Sequence, residues 1–126
     1  MSASSVYKTV QATTASKERT LLLLLEAILK HMRIAAAALD RKDMATARPS
    51  IERANDIIYM LQCTLKPEQA PELCASLRDI YTFVHLRLIK AMASRDSKWI
   101  HEAERVFLPI EQAFQQAVKI VQQNGQ

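Results

Sequence analysis

The sequence predicts an all-α protein: an antiparallel up-down-up-down four-helix bundle with a mobile N-terminal tail or cap. The 126 residues include one glycine and four prolines, whereas sheets and phosphate-cradling loops need turn glycines. Apolar residues recur at alternating steps of three and four along four segments, the spacing of a helix face. Short polar or proline-bearing breaks separate those segments, which makes successive helices antiparallel neighbours. A single domain of this length buries enough surface to fold without disulfides or metal.

Residues 1–15 are rich in Ser and Thr, with Val6, Tyr7 and Val10 as their chief apolar side chains. They read as a flexible tail that those side chains dock as a cap. Ser16 suits an N-cap and Glu18 a first turn, where the helix dipole favours an acid. The first helix is expected over about 17–40, with Leu21, Leu25, Ile28, Met32, Ala35 and Leu39 as its bundle seam. Leu23, Ala27, Ile34 and Ala38 fall on another side, so this helix is apolar on nearly two faces. A second element or a partner has to cover the extra face.

Asp40–Asp43 forms a polar turn. The second helix is expected over 44–65, although Pro49 disfavours helical geometry at Arg48 and leaves its start open between Met44 and Ser50. Ile51, Ala54, Ile58, Leu61 and Leu65 make its seam, with Ile57 alongside. The third helix, 71–94, has Pro71 in its first turn and a seam of Leu73, Leu77, Ile80, Val84 and Leu88, widened by Cys74, Tyr81 and Met92. Asp96 is a suitable cap for the fourth helix, 98–123, after which 124–126 form a short tail. Its seam reads Trp99, Ala103, Val106, Ile110, Ala113, Ala117 and Ile120, with Phe107, Phe114 and Val121 as a second stripe. Pro109 predicts a kink near 105–109.

Seventeen Lys and Arg against thirteen Asp and Glu give a net charge of +4. The cations are dispersed and mostly sit near acids, as Glu26 and Lys30 do at i,i+4, which describes a solvated face and not a nucleic-acid stripe. The run Leu21–Leu25 is too short for a membrane span, starts too late for a signal peptide and flows into a periodic helix, so no membrane insertion is expected. Cys63 and Cys74 read as small apolar residues in a reducing compartment, with a pairing across the Lys66–Pro71 turn left open.

Catalytic patterns are missing. Two cysteines without flanking histidines make no zinc site, and no Glu-x-x-His run marks a di-iron bundle. His85 lacks the Lys-Gly context of a phosphotransfer histidine and reads as a surface residue. No Ser or Thr sits in a nucleophile motif. The sequence therefore points to a binding protein, not an enzyme, with no catalytic residue, cofactor or metal.

The order of residues then resembles one family. Thr14-Ala15-Ser16-Lys17-Glu18 followed by Leu21–Leu25, Glu26 and Ala27 is similar to the opening of the flagellar secretion chaperones, the FliS family, which also carry an upstream Tyr and Val like Tyr7 and Val10. Ala54, Ile57, Ile58, Leu61 and Leu65 resemble the family's second helix; Ala75, Leu77, Tyr81, Leu88 and Ala91, with Asp96 after them, resemble its third. The departures include Lys17 for Pro, Leu25 for Tyr and Ala27 for Gly, so this is a divergent member.

That resemblance implies a cytoplasmic type III export chaperone. Such a protein binds the disordered C-terminal segment of flagellin in apolar surface grooves, prevents premature polymerisation and delivers it to the flagellar export gate. The expected client-binding residues are Leu22, Leu23, Ile34, Ile57, Leu61, Leu77, Tyr81, Phe107, Phe114 and Val121, with Tyr7 and Val10 docking the N-terminal cap. A co-chaperone or a second copy is a further partner left open. The alternative is a helical-bundle adaptor or homodimerisation module with a different protein client.

Overall fold

The computed structural model describes residues 3–124; the side chains of residues 3–17 and of Val121 lie outside what is described. Four helices follow one another: α1 Ala3–Asp40, α2 Met44–Cys63, α3 Pro71–Ser94 and α4 Lys98–Asn124, with no strand among the described residues. Each helix packs on its two neighbours in a closed ring, α1–α2–α3–α4 and back to α1, with α1–α2 the most extensive contact and α2–α3 the least. This is the expected all-α bundle. Cross-helix pairs fix its antiparallel sense: Asp40 meets Ser97 and Arg33 meets Glu104, while Lys90 meets Trp99 and Arg87 meets Glu102.

Helix α1 begins at Ala3, where the periodicity suggested about 17. Residues 3–17 contain neither Gly nor Pro, so nothing in their backbone chemistry stops the helix at Ser16. The docking expected of Tyr7 and Val10 lies outside the described side chains.

The start of α2 resolves to Met44 because Asp43 caps it: its carboxylate accepts from the Thr46 amide at 3.1 Å. Pro49 is tolerated inside α2, where the neighbouring Ala47, Ser50 and Ile51 are buried; tertiary packing overrides local preference here. The helix ends at Cys63, two residues earlier than expected, as Thr64 turns its hydroxyl back onto the Leu61 carbonyl at 2.7 Å. Pro71 occupies the first turn of α3, and the Asp96 carboxylate accepts from the Lys98 amide at 3.0 Å, at the start of α4. Helix α4 runs through Pro109 as one element.

The hydrogen bond from Thr46 is the largest cause that holds the Asp43 carboxyl below its ordinary value of 3.8, with Arg41 adding to it. A depressed folded value means the cap stabilises fully above the unfolded value and loses its effect as pH falls through the folded one. Asp43→Ala should therefore lower the thermal midpoint at pH 7. The gap to the parent protein should shrink as pH falls below the ordinary value of 3.8, as followed by circular dichroism melts at neutral and acid pH.

The core takes one stripe from each helix: Leu25, Ile28, Met32, Ala35 and Leu39; Ala47, Ile51, Ala54, Ile58 and Leu61; Tyr81, Val84, Leu88 and Ala91; and Ile100, Ala103 and Phe107. Two expectations need correction. Leu73, placed in the α3 seam from its spacing, is 59% exposed, while Cys74 and Tyr81 turn inward. In α4 the inward stripe keeps Ala103 of the expected seam but then departs from it. Phe107 is fully buried, whereas Ala113, Ala117 and Ile120 of the expected seam are exposed. The inward stripe of α4 is interrupted by Glu111, which disguises it in the sequence.

Candidate functional site

Apolar side chains that the core does not use line two outer flanks, while Tyr59, Leu86 and Ile89 are exposed outside both. The location of the flanks follows from which residues touch across each helix pair. His31 of α1 feels the Arg53 charge of α2, so the strip of α1 that shares a face with His31 looks toward α2. That strip, at steps of three and four, is Leu23, Ala27, His31 and Ile34. Leu23 is 57% exposed and Ile34 36%. Arg53 carries Ile57 and Met60 on its own face of α2, the first half-buried and the second exposed. Desolvation first, then Arg53 and Lys30, hold the His31 imidazole below its ordinary value of 6.5, so this flank presents a neutral histidine at neutral pH.

The second flank lies between α3 and α4. At one end Trp99 is closed in by cations: Lys90 sits 3.9 Å from the ring centroid and Lys98 4.9 Å. Arg87 stacks on Phe83 at 4.4 Å and donates to Glu102 at 2.9 Å. From that register the two helices run on in opposite directions. Helix α3 contributes Phe83, Ile80, Ser76 and Leu73; α4 contributes Val106, Ile110, Ala113, Ala117 and Ile120, each at steps of three and four. Val106, Ile110, Ile80 and Phe83 are half-buried, and Leu73 and Ile120 (56% exposed) stand at the open end. Small exposed residues, Ser76, Ala113 and Ala117, occupy the middle of the strip. A helix laid along this flank meets large apolar side chains at both ends and small ones between them.

The expected client-binding residues divide accordingly. Leu23 and Ile34 are exposed, and Leu22, Ile57, Leu77 and Phe114 are half-buried at the rim of the core. Leu61, Tyr81 and Phe107 are core residues, which corrects the expectation that Phe107 lies on a second, outer stripe. Tyr81 is deep enough that desolvation raises its phenol above the ordinary value. Val121, like Tyr7 and Val10, lies outside the described side chains. The α3–α4 strip went unrecognised as surface because its spacing is that of a core seam.

Cys63 is exposed, Cys74 buried, and both are free thiols. Among the described residues no group of three or more His, Cys, Asp or Glu is placed to hold a metal ion, and no helix is long and apolar enough to cross a membrane.

Comparison with known proteins gives a consistent result. The family model described as flagellar protein FliS matches residues 1–121. The chain is 29% identical over 115 residues to the flagellar secretion chaperone FliS of Bacillus subtilis, covering 91% of this chain and 85% of that one. It is 27% identical over 100 residues to the flagellar secretion chaperone FliSB of Pseudomonas aeruginosa, covering 79% of each.

Proposed function

Because this chain belongs to the FliS family of flagellar proteins, we propose that it is a cytoplasmic export chaperone that holds the disordered C-terminal segment of flagellin until secretion. The observation that carries this reading is the pair of apolar flanks, α1–α2 and α3–α4, left over after the core is complete. A chaperone for an amphipathic segment needs that surplus: the client folds into helical pieces whose apolar faces lie in the grooves, hidden from other subunits. The family is one of chaperones, which is not an enzyme class. Delivery follows from the same contact, since a client wrapped on the chaperone reaches the export gate unpolymerised. Residues 1–15 act as the cap that lies over part of the groove until the client arrives, with Tyr7 and Val10 as its docking side chains.

Titration calorimetry with a peptide of the last ~40 residues of flagellin from the same organism tests the reading. Tight binding, a negative heat-capacity change from apolar burial and helix gained by the peptide are expected. An absence of binding at high micromolar peptide, with the chaperone instead sedimenting as a dimer, would assign the apolar flanks to self-association.

A further inference from the structure

The turns that follow α1 and α3 lie at the same end of the bundle, where Ser97 donates to Asp40 at 2.6 Å. Between them is a cavity of about 220 Å³ lined by Leu39, Lys42, Met44 and Arg95. Leu39 is buried and Met44 half-buried, so part of the wall is apolar; the other lining residues are cations, and none is an acid. The space is smaller than the roughly 300–1,000 Å³ of sites that enclose a drug-sized ligand. It suits a group the size of one amino-acid side chain.

Both cations stand where the backbone favours glycine. Lys42 has a φ of 61° and Arg95 of 57°, the left-handed region that penalises any residue with a Cβ. At Lys42 the end of α1 is a complete Schellman turn: the Asp43 amide donates to the Ala38 carbonyl at 2.8 Å and the Lys42 amide to the Leu39 carbonyl at 3.0 Å. The left-handed position of that motif is usually glycine. Arg95 is the left-handed cap of α3. A cation does gain from the negative end of a helix, but one in the last turn would gain it without left-handed backbone, and the last turns of α1 and α3 hold no basic residue. Non-glycine residues held left-handed concentrate at ligand sites.

Neither cation is neutralised by the protein. The close ion pairs among the described residues are Arg33–Glu104, Arg41–Asp43, Arg87–Glu102 and Lys98–Asp96. The acids at this end are engaged elsewhere: Asp40 by Ser97, Asp43 by the Thr46 amide and Arg41, Asp96 by the Lys98 amide and ammonium. Lys42 and Arg95 thus bring two unpaired like charges to one cavity, and an anion between them turns repulsion into attraction.

We propose that this cavity binds an organic carboxylate on a short apolar stem, the chemistry shared by the free C-terminal residue of a peptide chain and a small branched-chain acid. The carboxylate lies between the Lys42 ammonium and the Arg95 guanidinium, whose planar fork offers it two parallel N–H donors. The stem packs on Leu39 and on Met44, whose flexible side chain adapts to its shape. An inorganic anion lacks the stem, and an amide lacks the charge. None of the lining residues belongs to either apolar flank, so the inference stands apart from the client reading.

The test is an NMR titration of the full chain carrying carbon-13 at its methionine methyls, followed at Met44, whose signal is assigned through Met44→Leu. The probes are acetyl-Ala-Leu with a free C-terminus, the same dipeptide as its C-terminal amide, isovalerate and inorganic phosphate. A free carboxylate is expected to shift the Met44 methyl saturably, with the amide and phosphate weaker by about tenfold or more. Lys42→Gln combined with Arg95→Gln should weaken the carboxylate by about tenfold or more. Tighter binding of the dipeptide assigns the cavity to chain termini, and tighter binding of isovalerate assigns it to free acids. The inference would be overturned by an amide or phosphate as tight as the carboxylates, by no saturable shift with either carboxylate, or by equal affinity of the double variant. If the glutamine pair does not fold, Lys42→Gly with Arg95→Gly, which suits left-handed backbone, carries the same comparison.

Discussion

Phe107→Ala is expected to destabilise the bundle by about 3–5 kcal/mol, the cost of emptying a buried phenyl site that the surroundings refill only in part. Phe107 is the largest fully buried side chain among the described residues. It sits on the inward stripe of α4, within the cluster that joins all four helices. A domain of this size has about 5–15 kcal/mol to lose, so the variant should unfold at a distinctly lower urea concentration with little change in the slope. Any loss of client binding should then track the fraction unfolded and vanish where the variant is still fully folded. A stable Phe107→Ala that binds client poorly would instead return this residue to the binding surface.

Leu73→Asp combined with Ile120→Asp should do the opposite. Both side chains are more than half exposed at the open end of the α3–α4 flank, so the pair should change folding stability by less than about 1 kcal/mol. If the client covers both, each substitution removes about 1.5–3 kcal/mol of apolar burial and places a charge under an apolar helix. Affinity for the flagellin peptide should fall a hundredfold or more, on the scale of about 1.4 kcal/mol per factor of ten. Calorimetry beside a urea melt separates the two effects. Unchanged affinity would move the client to the α1–α2 flank, where Leu23→Asp is the corresponding probe.

Most of the architecture is legible in the residues. The bounds of α3 follow from Pro71 at one end and the polar Ser94–Ser97 break at the other, and the α1 and α2 seams from their strict three–four steps. What escaped is which of two equally periodic stripes faces inward. In α4 the stripe through Val106, Ile110, Ala113 and Ala117 contains no charge, while the true inward stripe carries Glu111. Pattern reading chooses the uninterrupted one, and only the positions of the neighbouring helices decide otherwise. Leu73 shows the same limit at a helix end: its spacing is that of a core residue, yet it is exposed at the open end of the flank. The surplus on α1 was legible because Leu23 and Ile34 point away from a seam that was itself unambiguous. On α4 the surplus was hidden inside what looked like the seam.

The ring of helices also sets the order in which the molecule can assemble. Three of its four contacts join helices adjacent in the chain across short turns, and short loops close at little entropic cost. Only α1–α4 must bring together segments separated by two whole helices, so it is expected to close last, after the hairpins on either side have formed. A fold so dominated by local pairing should reach its native state within roughly microseconds to milliseconds. The Arg33–Glu104 and Asp40–Ser97 pairs would then be absent from the transition state. Breaking them should speed unfolding and leave refolding almost untouched, which stopped-flow chevrons of Arg33→Met and Ser97→Ala would register as a raised unfolding limb alone.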